Sequence, residues 1–251
     1  MKENKEEFFT GEVRNVIPKS LIKDVGDIDD VDKLFLTLAL IYNDTKNIHF
    51  FWTLFLAKVA DRGSKVEISF HNGEYSGIRM YIIRILLSTI AETFTCLEKN
   101  RKILESKKFK EIKDKLSPQI LEIWNDLVDT AINEIKSKEK SSIFNFLRSI
   151  RGDITYHYEN VEHLPVGFRE FFYKSEKNIF NKRAYYSLGN TMEKSRLFYA
   201  DVSAEYYIDL LAKRRGFDTE RIKKDILGLA EKFNLVLINL LRIYLRQKKN
   251  G

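Results

Sequence analysis

The segment from Arg148 to Asn160 contains the polar side chains of this chain that are best suited to chemistry on a phosphodiester. It reads Arg148-Ser-Ile-Arg151-Gly-Asp153-Ile-Thr-Tyr-His157-Tyr158-Glu-Asn160, so an arginine, a carboxylate and a histidine fall within seven residues. An arginine can hold a phosphate through two hydrogen bonds, and a histidine changes its charge near neutral pH. The segment therefore predicts a site that cleaves or binds a phosphodiester.

RNA cleavage without a metal needs a base for the 2′-hydroxyl proton, positive charge at the phosphorus and a proton donor for the leaving oxygen. His157 is predicted to act as base or acid, and Arg151 to stabilise the charge of the transition state. Asp153 lies four residues before His157 and would share its helix face, where it could orient the imidazole. Tyr158 and Asn160 are predicted to position the nucleotide, with support from Arg148.

The spacing of Arg151, five intervening residues and His157, followed by Tyr158, resembles the signature of the HEPN superfamily of all-helical ribonucleases and nucleotide-binding modules. The version ending in histidine and tyrosine is similar to that of bacterial and archaeal members tied to phage defence and toxin systems. The family usually has a polar residue directly after the arginine, and Gly152 stands at that position here. The resemblance implies a metal-independent endoribonuclease without a cofactor.

The same resemblance leaves two further functions open. In one, the chain is a non-catalytic module that binds RNA or a nucleotide, with Gly152 marking a relaxed site. In the other, Arg151 and His157 only tie two helices together in a structural dimer. In the family, two motif helices pair around a two-fold axis, so the resemblance implies a homodimer, and an antitoxin or another regulatory protein would be a further partner. One motif helix offers a single copy of each group, and residues six apart, such as Arg151 and His157, point about 120° away from each other. A cleft between two such helices would bring both kinds of group together.

Composition sets limits on the class of protein. The chain has 251 residues, 44% of them hydrophobic and 31% charged, enough for one domain with a sizeable core. A formal charge of +7 permits an RNA partner without requiring one; basic runs such as Lys213 to Arg215 could contact phosphates or simply be solvated helix ends. The apolar runs 34–42 and 48–57 are too short to span a bilayer, and we expect a cytoplasmic protein without a membrane partner.

Apolar residues recur at steps of three and four, and strand signals are almost absent, so the sequence predicts an all-α fold. Helices are expected at about 31–61, 76–104, 117–137, 141–160, 201–215 and 219–246, with a short extended piece at about 65–75. The domain prediction is an irregular arm at 1–28 and one helical domain at 29–251. That domain would contain a HEPN-like core at about 29–162, an aromatic and basic insertion with short helices at about 163–198, and carboxyl-terminal helices at about 199–247.

Single polar residues outside the motif suggest further contacts. Glu92 lies in the middle of an apolar helix face, and a carboxylate on the core side favours a cationic partner, for which Arg151 is the candidate. His49, inside an apolar run, is expected to pack in the core, and His163 is expected in a turn. The four histidines lack the spacing of a metal site. Cys96, the one cysteine, is expected to be buried and inert.

Overall fold

The computed structural model of the chain describes residues 15, 17–22, 28–60, 70–136, 143–155, 162–174 and 183–250. These residues are mainly helical and form no strand; a single isolated antiparallel bridge pairs Ser187 with Arg196. The predicted all-α fold class is confirmed. The helices are α1 (Pro18–Leu21), α2 (Asp30–Ala60), α3 (Phe70–Lys99), α4 (Arg101–Leu104), α5 (Lys107–Lys113), α6 (Pro118–Lys136), α7 (Ile143–Ile150), α8 (His163–Arg169), α9 (Phe198–Arg214) and α10 (Thr219–Asn250).

Helix α3 lies at the centre of the packing and contacts α2, α6, α7 and α9. Its buried side chains follow helical spacing along most of its length: Met80, Ile82, Leu86, Leu87, Ile90, Ala91, Phe94 and Leu97. The stretch Asn72–Lys99 includes an 18-residue window with a mean hydropathy of 1.5, which is apolar enough to cross a membrane by length and composition alone. Because 56% of that window is buried against the other helices, α3 has the surroundings of a core helix.

The last described helix, α10, packs against the first long helix, α2. Asp29 caps this helix, since its carboxylate accepts a hydrogen bond from the backbone N–H of Val31 at 2.8 Å. Helix α10 packs along α2 and α6, and the ring of its Tyr244 stacks on Phe35 with centroids 4.1 Å apart. The long helices therefore form one helical core.

Several predicted boundaries need correction. The extended piece predicted at 65–75 is already helical from Phe70, while residues 61–69 lie outside the described ranges. The helix predicted to continue to residue 104 ends at Lys99, where the Asn100 amide donates to the Cys96 carbonyl at 2.8 Å and competes with the helical hydrogen bonds. The arm predicted to be irregular contains the single helical turn α1. His49 was expected in the core and is exposed on α2.

The segment predicted as an insertion has the expected short helices among its described residues. These are α8, a π-helical turn at Glu170–Lys174 and a 3-10 turn at Met192–Lys194. Phe171 and Phe172 are buried and anchor the segment to the core, whereas Tyr173 and Tyr186 are exposed. Pro165, expected to lie beyond the motif helix, lies in the first turn of α8, where its missing N–H leaves no helical hydrogen bond unmade.

Candidate active site

The motif segment departs from regular α-helix where its polar residues begin. Helix α7 ends at Ile150, and residues Arg151–Thr155 continue it as a single π-helical turn that carries Arg151 and Asp153. Arg148 is exposed in the last turn of α7. His157, Tyr158 and Asn160 lie outside the described residues, so their predicted roles remain predictions.

Hydrogen bonds from side chains stabilise this π-turn. The Thr155 hydroxyl donates to the Ile150 carbonyl, five residues earlier, at 3.2 Å, and Arg84 on α3 donates to the Ile154 carbonyl at 3.0 Å. Ile154 and Thr155 are buried, which fixes the end of the turn on the core. Turns of this kind often occur at functional sites because the wider ring changes the direction of nearby side chains.

The ion pair expected between Glu92 and Arg151 is present: the Arg151 Nε lies against the Glu92 carboxylate. The expected position of Glu92 on the core side is wrong, since its side chain is 46% exposed and that of Arg151 is 35% exposed. Solvent screens a pair this open, and it contributes little to stability. Nε is one of five N–H donors on a guanidinium, so the pairing leaves Arg151 chemically able to bind a phosphate.

Asp153 has two partners from outside its own helix. Tyr207 on α9 donates its hydroxyl hydrogen to Asp153 Oδ2 at 2.6 Å, and His163 at the start of α8 places Nε2 3.3 Å from Asp153 Oδ1. The same Tyr207 hydroxyl lies 3.1 Å from His163 Nδ1. We call these three residues the Asp153 cluster. It joins the π-turn to α8 and α9.

The Asp153 cluster contains the two site residues that sequence reasoning missed. His163 was expected in a turn and is instead the first residue of α8. Tyr207 is 54 positions away from Asp153 in sequence, and no local spacing relates the two. A usable signal was the polar Tyr207 within an apolar stretch of α9, because a buried tyrosine hydroxyl requires a partner.

Burial and Asp153 together keep the Tyr207 hydroxyl protonated. Loss of solvent raises its pKa most, and the hydrogen bond to the Asp153 carboxylate and its negative charge raise it further. Arg214 and Arg215 act in the opposite direction and do not reverse the shift. At neutral pH Tyr207 is therefore a hydrogen-bond donor that orients Asp153, and it is not a base.

Other groups near α3 offer less chemistry. Cys96 was expected to be buried and is half-buried. Loss of solvent raises the pKa of its thiol; the hydrogen bond from Asn100 opposes this shift and the charge of Glu92 adds to it, so the sulfur is a poor nucleophile. Among the described residues, no group of three or more His, Cys, Asp or Glu side chains is close enough to hold a metal ion.

A separate apolar cavity of about 210 Å³ lies between α2, α3, α9 and α10. Its lining is mostly aliphatic, and one ion pair contributes to its wall, with Arg79 Nη2 2.6 Å from Glu205 Oε1. The residues of the motif do not line it.

A scan against protein-family models, a search of curated proteins and a search of solved structures each found no significant match to this chain.

Proposed function

We propose that this chain is a HEPN-like, metal-independent endoribonuclease. The observation that carries the proposal is the π-turn, which presents a partly exposed Arg151 beside Asp153. An arginine that solvent reaches and a carboxylate with ordered partners are the parts needed to hold a phosphate and to organise proton transfer around it. His157, two residues beyond the turn, supplies the titrating group in this proposal.

The reaction follows from these groups. A base removes the proton of an RNA 2′-hydroxyl, and the oxygen attacks the neighbouring phosphorus. The bond from phosphorus to the 5′-oxygen then breaks, and an acid protonates the leaving oxygen. The products carry a 2′,3′-cyclic phosphate and a 5′-hydroxyl. Arg151 stabilises the charge on the phosphoryl oxygens, and His157 is the base in one protomer and the acid in the other.

The two histidines in this mechanism require a homodimer in which the motif helices of both protomers face each other. A cytoplasmic location, a role in phage defence or as a toxin, and control by an antitoxin or another regulatory protein belong to the same proposal. The charge of +7 supports an RNA substrate in a general way, because cations offset the phosphate charge.

A non-catalytic RNA- or nucleotide-binding module is the second candidate. Gly152 favours it, because the position after Arg151 carries no polar side chain. The pairing of Arg151 with Glu92 favours it too, since a phosphate must compete with that carboxylate. In a third alternative, a structural dimer, Arg151 and His157 serve assembly alone.

The test is incubation of end-labelled total RNA with wild-type, His157→Ala and Arg151→Lys proteins in EDTA, followed by identification of the fragment ends. We expect 2′,3′-cyclic phosphate ends from the wild type only, because lysine cannot replace the two-pronged arginine contact. Cleavage that survives in His157→Ala would overturn the mechanism. Saturable binding without any product, lost in Arg151→Glu, would establish the binding module.

The dimer is tested by multi-angle light scattering on the same proteins. The proposed enzyme gives a dimer mass for the wild type and for both variants. A monomer that still cleaves RNA would contradict the composite site, whereas dimers that dissociate on substitution of either residue, without RNA binding, would point to the structural alternative.

A further inference from the structure

The basic end of α9 lies against the motif helix, although the two are far apart in sequence. Lys213, Arg214 and Arg215 follow one another where α9 ends. Arg215 Nη2 donates a hydrogen bond to the Ser149 hydroxyl on α7 at 2.8 Å. Arg148 directly precedes Ser149 in the sequence, and Arg151 lies two positions after it. The fold therefore brings two basic segments together that the sequence separates.

Arg214 extends this surface away from the Asp153 cluster. It is exposed and lies seven residues after Tyr207, two helical turns along the same face of α9. At the rise of an α-helix, this separation is about 10 Å. Tyr207 itself is bonded to Asp153 on the π-turn. Arg214 thus lies about two helical turns along α9 from the tyrosine that holds Asp153.

The charges of this surface are mainly positive. Its cations lie on α7 and the π-turn (Arg148 and Arg151), against them (Arg84 and Arg215) and at the exposed end of α9 (Lys213 and Arg214). The carboxylates on or close in sequence to these segments include Glu92, Asp153, Glu162 and Asp218, of which Glu92 is paired with Arg151 and Asp153 is held by Tyr207. The helix dipole favours a cation at both places, since Arg214 lies in the last turn of α9 and Arg148 in the last turn of α7, but it does not explain why the fold brings these two helix ends together.

We propose that Arg214, together with Arg148, binds the backbone of single-stranded RNA on the path that leads to Arg151. We call this path the α9 arginine track. The inference rests on the proposed function, because it takes RNA as the substrate of the same site. A single strand is the form that fits, since attack by an internal 2′-hydroxyl requires a backbone that can leave helical geometry. Arg215 supports the track by tying α9 to α7.

The test measures RNA binding separately from cleavage. A fluorescein-labelled single-stranded RNA with 2′-O-methyl groups has no nucleophile, so wild-type protein binds it without cutting it. Fluorescence anisotropy titrations over a series of salt concentrations give the affinity and its salt dependence. The variants are Arg214→Glu, Arg214→Lys and the charge-matched control Arg242→Glu, an exposed arginine on α10.

We expect Arg214→Glu to weaken binding at least tenfold and to reduce the slope of log affinity against log salt by about 0.7, the loss of one phosphate contact on a single strand. Arg214→Lys should retain most of the affinity, because a lysine also binds phosphate as a point charge. Arg242→Glu should change affinity less than twofold. Circular dichroism of each variant checks that the helices are intact.

Equal weakening by Arg214→Glu and Arg242→Glu would overturn the track, because binding would then depend on net charge alone. Absence of binding by the wild type would also overturn it. Failure of the proposed function looks different: the wild type binds the methylated RNA through Arg214 but leaves unmodified RNA uncut. A tight preference for the same RNA annealed to its complement would replace the single strand with a duplex partner and contradict the inference.

Discussion

Asp153 is the residue on which the local structure of the candidate site depends. Its two carboxylate oxygens face Tyr207 and His163, which come from two different helices. A carboxylate with such partners has a fixed orientation, whereas one on an exposed helix face rotates freely. Asp153 therefore helps to hold the π-turn in place, alongside the contacts of Arg84 and Thr155, as well as contributing charge to it.

Replacement of Tyr207 by phenylalanine tests this role. The variant removes the donor to Asp153, and we expect a loss of about 1–2 kcal/mol in the free energy of unfolding at pH 7. Urea denaturation measures this. Tyr186→Phe is the control, because Tyr186 is exposed and its loss should change stability by less than about 0.5 kcal/mol. Equal effects of the two substitutions would contradict the role of the Asp153 cluster.

The Tyr207 hydroxyl also gives the stability of the wild type a pH dependence that Tyr207→Phe lacks. The pKa of Tyr207 is raised in the folded protein, so as the pH rises above about 10 the unfolded chain releases this proton first. The stabilisation is complete below that pH and is lost above it. Urea midpoints measured from pH 8 to pH 11 should therefore fall more steeply for the wild type than for Tyr207→Phe. Parallel curves would show that the hydroxyl titrates normally.

Gly152 allows a test by gain of function. A Cβ atom at this position would have no neighbour within 4 Å, so a side chain fits without a clash. Gly152→Asn adds the polar group that the HEPN resemblance leads one to expect, and we predict that the rate of cyclic-phosphate release rises roughly tenfold or more. Gly152→Ala is the matched control, since it adds the Cβ alone. Equal rates for both variants would show that the polar group is not used.

At the scale of elements, α8 crosses close to α9 at Gly167. A Cβ on Gly167 would lie 2.0 Å from the Ser203 carbonyl oxygen, so only glycine permits this approach. The crossing sets the distance between His163 at the start of α8 and Tyr207 on α9. The packing of the two helices therefore controls the geometry of the Asp153 cluster.

Gly167→Ala should destabilise the protein by about 1–3 kcal/mol, because a backbone atom has to move to make room. Gly228→Ala on α10 is the matched control: the space around Gly228 is open, and alanine is the better helix former by up to about 1 kcal/mol. Thermal or urea denaturation should therefore show opposite signs for the two substitutions. A loss of stability in both would indicate that the crossing is not special.

Periodicity predicted most of the helices but not the interruption that shapes the site. The long helices α2, α6, α9 and α10 begin and end within a few residues of their predicted bounds, because their apolar spacing is regular. The π-turn could not be predicted, since residues 150 to 155 fit an α-helical pattern equally well. Its stabilising contacts, from Arg84 and from Thr155, depend on the packing of α3 and on the local geometry.

The candidate site was predicted only in part, because sequence spacing indicates local contacts and not tertiary ones. Glu92 was matched to Arg151 from the need of a carboxylate for a cation, and the structure contains that pair. The expectation that Asp153 shares a face with a residue four positions later assumed an unbroken α-helix, which the π-turn interrupts. His163 and Tyr207 come to Asp153 through tertiary packing alone, and sequence spacing carries no record of such contacts.

At the scale of the whole molecule, Asp32 connects the beginning and the end of the described helical core. This buried carboxylate accepts hydrogen bonds from Lys248 at 2.8 Å and from Tyr244 at 3.1 Å, both on α10. Lys108 on α5 lies 3.4 Å away. Three elements are thus held by one charged group close to the start of α2.

Asp32→Asn should lower the free energy of unfolding by about 1–3 kcal/mol, because hydrogen bonds to a charged group are stronger than those to an amide. Asp30→Asn is the control: it removes the same charge from the same first turn, but its carboxylate is exposed and pairs with Lys33, three residues later on the same helix. Chemical denaturation should show at most about 0.5 kcal/mol for this control. Similar losses would mean that stability depends on negative charge near the start of α2 and not on the contacts of Asp32 with Lys248, Tyr244 and Lys108.

The π-turn also determines how the candidate site would respond to the loss of a single residue. A π-helical turn closes its hydrogen-bonded ring over one more residue than an α-helical turn does. Deletion of one codon is therefore enough to convert a π-turn into an α-helical turn, because the π-turn accommodates one extra residue. In this chain, such a deletion between Arg151 and Thr155 would leave the buried face of α7 intact while moving polar residues of the turn to other positions around the helix. The candidate site is separated from an ordinary core helix by a single residue.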